Sequence, residues 1–152
     1  MKKILFFGLI LIGMASCSFS SNTTVGTTIK TVTVKVNSYD WKYSNMDNNN
    51  YYYCGLDLSS ITSEVFEKGE VKAYLVQDRY DYNYARKHAL PYVMHKEELV
   101  GMDWIFYTET IDFTYGKGWV EFNYRVSDFA YEVVNLPPPP AMEFDIVITT
   151  NK

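Results

Sequence analysis

Two cysteine thiols are the most reactive side chains in this sequence, and their neighbours differ. Cys17 follows Met14-Ala15-Ser16 near the N-terminus, whereas Cys54 follows three consecutive tyrosines. A catalytic cysteine needs a nearby base to take its proton, and no histidine lies close to Cys54 in the sequence. Because free cysteine is among the most frequently buried residue types, we expect Cys54 to be a small buried side chain.

The sixteen residues before Cys17 have the layout of a secretory signal peptide. Lys2 and Lys3 precede an apolar run over 4–12, which is shorter than the roughly 20 residues of a membrane-spanning helix. The four residues that end in Cys17 resemble the bacterial lipobox, although Met14 stands where that motif prefers leucine. The resemblance implies cleavage before Cys17, a diacylglyceryl group on its thiol and a further acyl chain such as palmitate. We therefore predict a signal peptide over 1–16 and a membrane anchor on Cys17.

Removal of the signal peptide changes both the charge and the cysteine count. Of the 152 residues 136 remain, a size typical of one domain. Lys2 and Lys3 are lost, so 12 basic residues face 18 acidic ones and the formal charge becomes −6. Such a chain has no electrostatic attraction to nucleic acid, which we exclude as a partner. With Cys17 acylated, only Cys54 remains, so the stability of the fold must come from its core and not from a disulfide.

The other side chains that could carry chemistry do not form a recognisable motif. His88 and His95 are seven residues apart, which is not a metal-ligand spacing, and we interpret them as solvated loop residues. The acidic stretches around Asp40 and Asp78 do not follow the spacing of a calcium loop. No serine-hydrolase, phosphate-loop or dinucleotide motif occurs. The sequence thus predicts no metal, no cofactor and no enzymatic activity, and a hydrolase is the least favoured function.

Tyrosine is unusually frequent in this chain, with fourteen copies. Many of them crowd into two loop-like stretches, 39–53 and 80–84. A tyrosine has a broad apolar ring and a polar hydroxyl, so loops of this composition are suited to stacking on sugars or gripping a protein. Tyrosine is also a strong strand former that fills sandwich cores, which would make these residues structural. The candidate ligand-binding residues are Trp41, Tyr51, Tyr52, Tyr80, Tyr82 and Tyr84.

The elements that must position these side chains are mostly strands. Apolar and polar residues alternate over 31–36, 71–76, 120–126 and 144–149, a pattern typical of strands with one buried face. Gly116-Lys117-Gly118 joins the apolar run 104–115 to 119–126. A short glycine-containing link of this kind predicts a β-hairpin between the two runs.

The remaining segments predict one helix, one tether and one stiff connection. A short helix is expected near 62–68, with Thr62 as its N-cap, Ile61 packing on Phe66 and Gly69 as a left-handed exit. The small polar residues of 17–27 predict a flexible tether, which leaves 28–152 as the domain. The four prolines of 137–140 predict a stiff connection before the last strand.

These elements together predict an all-β fold. About seven short strands with one helical turn are typical of an antiparallel two-sheet sandwich. An immunoglobulin-like arrangement is one option, and the sequence leaves the strand order open.

Several segments of the chain look like small exported β-sandwich lipoproteins of Bacteroidota. The resemblance runs from about Thr28 to the end, in segments 61–65, 69–75, 90–92, 118–122 and 144–148. It implies the fold and the cell envelope but no assigned activity. Many surface-exposed lipoproteins of these bacteria carry acids just after the acylated cysteine. Residues 18–22 have none, so we expect the periplasmic face of the outer membrane in preference to the cell surface.

Two functions remain open for the anchored domain. The first is a non-catalytic binding or accessory module whose tyrosine-rich loops contact a glycan or an envelope protein. The second is a structural envelope lipoprotein with no small ligand.

Overall fold

The computed structural model describes residues 18–24, 26–45, 50–77, 86–127 and 137–151. These residues form ten strands, one 3-10 turn over Ser38–Asp40 and one helix, α1, over Ser63–Lys68. The strands are β1 (Ser18–Thr24), β2 (Thr27–Val36), β3 (Lys42–Ser44), β4 (Tyr51–Asp57), β5 (Glu70–Gln77), β6 (Arg86–Ala89), β7 (Tyr92–Val100), β8 (Asp103–Gly116), β9 (Trp119–Val126) and β10 (Met142–Asn151).

The strands form two antiparallel sheets of five strands each. The first sheet has the order β1-β2-β10-β5-β6, and the second has the order β3-β4-β9-β8-β7. The predicted two-sheet sandwich is confirmed, with more strands than the seven expected. Strands β6 and β7 were not predicted. No residue in either strand is fully buried, so their sequences lack the apolar alternation that indicates a strand.

The C-terminal strand β10 lies in the centre of the first sheet, between β2 and β5. The constant-type immunoglobulin order, ABED in one sheet and CFG in the other, places the last strand at a sheet edge, so the described strand order differs from that type. The central position suits the strand, since Phe144, Ile146 and Ile148 all point into the core.

The core is formed by inward-facing side chains of both sheets. The rings of Phe122 in β9 and Phe144 in β10 stack at 3.9 Å between centroids, which joins the two sheets at the centre. Cys54 belongs to the same core and is 4% exposed, which confirms the expected burial. This burial raises the pKa of the Cys54 thiol to about 11, with a further contribution from Asp40.

The predicted hairpin between β8 and β9 is confirmed. Gly116 pairs with Trp119, so Lys117 and Gly118 form the turn. Gly118 has φ of +84°, a left-handed conformation in which a side chain is strained. The turn is therefore determined by local glycine chemistry.

Helix α1 is confirmed, but its exit is not the predicted one. The Thr62 hydroxyl accepts a hydrogen bond from the Val65 amide at 3.2 Å, as expected of an N-cap. Gly69 was predicted to be left-handed, whereas its φ is −94° and its conformation extended. A Cβ atom at Gly69 would lie 2.6 Å from the carbonyl oxygen of Thr149. The same Cβ atom would lie 2.8 Å from the carbonyl oxygen of Val65, so glycine is required there by the close approach of both β10 and the last turn of α1.

The predicted flexible tether over 17–27 is wrong for residues 18–24. These residues form strand β1, which pairs with β2 from Ser18↔Thr33 to Thr24↔Thr27. Main-chain hydrogen bonding to a sheet edge requires no apolar side chain, so a polar sequence can occupy an edge strand. The domain therefore begins earlier than residue 28. Cys17 and the signal peptide lie outside the described residues.

The sandwich has two distinct ends. At the helix end, the Gly118 amide donates to the Ile61 carbonyl at 2.8 Å, and α1 leads into β5. At the other end, which we call the cleft end, residues of β2, β5, β7 and β10 line one cleft. No helix among the described residues is long and apolar enough to cross a membrane.

Candidate functional site

Trp41 is buried, although the sequence predicted it as a ligand-binding residue. It is 6% exposed and belongs to the hydrophobic core. The preceding 3-10 turn is closed by the Asp40 carboxylate, which accepts hydrogen bonds from the Asn37 amide and side chain at 2.8 and 3.0 Å. The chain leaves this turn with the indole directed inward. The prediction is therefore wrong for Trp41.

Tyr51 and Tyr52 lie on strand β4 and not in a loop. Strand alternation sends them to opposite faces: Tyr52 packs against the core, while Tyr51 and Tyr53 point away from it. Burial raises the pKa of the Tyr52 hydroxyl, and neighbouring Tyr43 raises it further. Tyr52 is thus a packing residue. Of the two, only Tyr51 points away from the core, as a ligand-binding residue would.

The predicted residues Tyr80, Tyr82 and Tyr84 lie outside the described residues. The chain leaves the described structure at Gln77 and re-enters at Arg86, and these two residues pair with each other. Gln77 also lines the cleft at the cleft end.

The outward side of the second sheet brings Tyr51 together with four residues that are not among the predicted ligand-binding residues. Tyr51 is opposite Arg125 of β9, and Tyr53 is opposite Asn123. Asn123 in turn is opposite Asp112 of β8. Since paired residues in antiparallel strands share a face, these side chains form one surface. We call it the tyrosine face: Tyr51, Tyr53, Asp112, Asn123 and Arg125.

The tyrosine face places two aromatic rings beside fixed polar groups. The rings of Tyr51 and Tyr53 have centroids 6.0 Å apart. The Arg125 guanidinium lies 5.3 Å from the Tyr51 centroid, a cation–π contact. Its Nε lies 3.6 Å from Oδ2 of Asp112, and Nδ2 of Asn123 donates to Oδ1 of Asp112 at 2.9 Å. The surface thus presents a broad apolar area with a donor and an acceptor held in place.

One sequence signal could have located these polar residues. Asn123 and Arg125 alternate with the buried Phe122 and Tyr124, so the strand pattern already placed them outward. Only the register between β4, β8 and β9 shows that they lie beside tyrosines. Asn123 is just 2% exposed, and its bond to Asp112 offsets the cost of burying an amide.

The cleft at the cleft end is a second concave feature, with a volume of about 660 Å³. Its floor includes Leu75, Ile111 and Tyr124, and two lysines and two glutamates lie around it. Among these charged residues, Lys96 Nζ lies 3.6 Å from Glu109 Oε2, which is an ion pair. The described lining contains no serine, cysteine or histidine, so it offers no pairing of such a nucleophile with a histidine base.

Both histidines lie on strands, so their interpretation as loop residues is wrong. His88 is on β6 and its ring lies 4.3 Å from that of Tyr92, while His95 is exposed on β7. Within the described ranges, no group of three histidine, cysteine or acidic side chains could hold a metal ion.

Comparison with known proteins gives no relative for this chain. No protein-family model matches it, and neither a curated protein nor a solved structure matches it. What the fold and the site define is a class, an all-β sandwich with an aromatic and polar outer face.

Proposed function

We propose that this chain is a lipid-anchored protein of the cell envelope whose sandwich is a non-catalytic module that binds a glycan. The anchor is the acylated Cys17 predicted from the sequence, in the outer membrane and facing the periplasm. The observation that carries the binding role is the tyrosine face, where the rings of Tyr51 and Tyr53 lie beside Arg125 and Asp112.

The chemistry of the tyrosine face suits a sugar ring. The C–H side of a sugar can pack on a tyrosine ring, and its hydroxyls need both donors and acceptors at the rim. Arg125 supplies the donors, Asp112 the acceptor and the tyrosine hydroxyls can act as either. Strands hold these groups in place, so little conformational entropy is lost on binding.

Glycan-array binding of the mature protein tests this role. We expect Tyr51→Ala and Tyr53→Ala to weaken binding about tenfold or more each, since each removes a stacking surface. Tyr74→Ala is the matched control, because Tyr74 is half-buried on the outward side of the first sheet, away from the tyrosine face. Unchanged binding in both tyrosine-face variants, or no glycan bound by the parent, contradicts the proposal.

Labelling with an alkyne analogue of palmitate tests the anchor. We expect cells that express the full chain to incorporate the label, and Cys17→Ala to abolish it. Cys54→Ala is the matched control, since the only other cysteine lies in the core and should leave labelling intact. Label retained in Cys17→Ala refutes the assignment of the anchor.

A structural role without a small ligand is the second candidate, and one observation favours it. Half of the ten described tyrosines pack in or against the core, namely Tyr52, Tyr92, Tyr107, Tyr115 and Tyr124. For this role we expect capture of an envelope protein by the parent chain and by both tyrosine-face variants alike, with no glycan bound.

A further inference from the structure

The β7–β8 hairpin extends beyond the rest of the second sheet. Strand β9 pairs with β8 only as far as Val126↔Glu109, whereas β7 and β8 remain paired to Val100↔Asp103. A ribbon of two strands therefore projects from the cleft end, and residues 103–108 give it a length of about 20 Å at 3.3 Å per residue. We call its terminal part, residues 97–106, the apolar hairpin.

The apolar hairpin exposes four large apolar side chains together. Leu99 and Trp104 are cross-strand partners and are 54% and 58% exposed. Phe106, on the same face as Trp104, is 70% exposed, and Met102 in the turn is 96% exposed. A soluble surface rarely carries such a cluster, which usually marks a contact with a membrane or a partner.

The direction of β1 relates this cluster to the proposed anchor. Strand β1 is antiparallel to β2, and its first residue, Ser18, pairs with Thr33. The nearby end of β2 reaches the cleft, which is lined by Lys35 together with Lys96 of β7. The N-terminus of β1 therefore points toward the end from which the apolar hairpin projects. Ser18 directly follows Cys17 in the sequence, so an anchor on Cys17 would hold this end of β1 at the membrane.

We propose that the apolar hairpin inserts its side chains into the bilayer that holds the acyl chains of Cys17. This inference rests on the proposed function, since it takes Cys17 as the anchor. Tryptophan and phenylalanine favour the interface between headgroups and hydrocarbon, where an apolar ring can be buried. A bilayer is the occupant because Ser18, the residue that follows the proposed anchor, lies toward the same end of the sandwich as the hairpin.

The charge of the hairpin restricts the kind of lipid. Lys96 is the single basic residue beside Glu97, Glu98 and Asp103, so an anionic surface would repel this end. We therefore assign a zwitterionic lipid surface, bound through apolar contact and largely independent of salt. Together with the acyl chains, the hairpin gives the domain two points of attachment, which limits its rotation on the membrane.

Tryptophan quenching by brominated lipid tests the contact. The full chain is expressed in a Gram-negative host, and the processed protein is reconstituted into vesicles of dibrominated phosphatidylcholine. The chain has three tryptophans: buried Trp41, Trp104 in the hairpin and Trp119 at the helix end. We expect quenching by brominated lipid that Trp104→Phe reduces by more than half. Trp119→Phe is the matched control and should leave the quenching unchanged.

Mass spectrometry of the same sample separates the two proposals. Acylated protein with quenched Trp104 supports both, and acylated protein without quenching of Trp104 overturns the hairpin contact alone. Quenching of Trp104 in protein without acyl chains supports the hairpin contact and refutes the anchor. A blue shift of Trp104 with delipidated envelope protein, but none with vesicles, overturns the membrane contact in favour of a protein partner.

Discussion

At the residue scale, the Cys54 thiol links the stability of the fold to pH. Its pKa rises from the ordinary 9.0 to about 11 in the folded protein, so the folded chain retains a proton that the unfolded chain loses above pH 9. The free energy of unfolding should therefore fall as the pH rises from about 9 to 11, by about 2 to 3 kcal/mol in total. Urea unfolding at a series of pH values measures this decrease.

The variant Cys54→Ala isolates the thiol from other titrating groups. Burial also raises the pKa values of the Tyr52 and Tyr107 hydroxyls, and these remain in both proteins. We expect a flatter dependence on pH in Cys54→Ala. Equal slopes in the two proteins would show that the thiol does not contribute.

The stacked phenylalanines at the centre of the core should be sensitive to truncation. Phe144 is fully buried and stacks on Phe122. We expect Phe144→Ala to lower the free energy of unfolding by about 3 to 5 kcal/mol, since it leaves a cavity between the sheets. Phe106→Ala is the control and should change it by less than about 0.5 kcal/mol, because Phe106 is exposed. A small effect at Phe144 would mean that the core repacks.

Predictions about single residues were confirmed where the residue type decides burial. They were wrong where burial depends on the position of the residue in its strand. Cys54 is buried as expected from its residue type. Trp41 and Tyr52 also face the core, although their neighbours are polar or aromatic residues typical of binding loops. The face on which an aromatic ring lies depends on strand register, which the single sequence does not show.

At the element scale, Gly69 shows how a remote strand can determine a local residue. Its position after α1 predicted a left-handed exit, yet the backbone is extended and the carbonyl of Thr149 occupies the space of a Cβ atom. Helix α1 and the β8–β9 hairpin were predictable because capping and turn residues act locally. The contact with β10 joins residues about eighty positions apart, so local patterns cannot reveal it.

Substitutions at Gly69 test whether glycine is needed because a Cβ atom has no space or because the backbone is left-handed. We expect Gly69→Ala and Gly69→Asn each to lower the free energy of unfolding by about 1 to 3 kcal/mol, because any Cβ atom meets the backbone of β10 at Thr149 and of α1 at Val65. Thermal unfolding provides the measurement. Gly55→Ala is the control, since the nearest atom to its Cβ would be 3.9 Å away, an ordinary contact. A left-handed exit would instead make asparagine clearly better tolerated than alanine.

At the scale of the whole molecule, β1 joins the N-terminal residues to the domain. Pairing with β2 should protect backbone amides in 18–24 from hydrogen exchange, whereas a tether would exchange at once. We expect peptides that cover 18–24 to exchange more slowly than those that cover the exposed turn at Gly101 and Met102. Equally fast exchange of both segments would instead support a flexible tether over 18–24.

The sequence by itself determined the fold class, the helix, the β8–β9 hairpin and the burial of Cys54. Each of these follows from local periodicity, local capping or turn chemistry, or the nature of one side chain. Only the tertiary structure decided that β10 is central and that β1 continues the first sheet. It also decided that Tyr51 and Tyr53 share a face with Asp112, Asn123 and Arg125. These features depend on the pairing of strands far apart in the chain, and main-chain hydrogen bonds between such strands leave almost no signature in a single sequence.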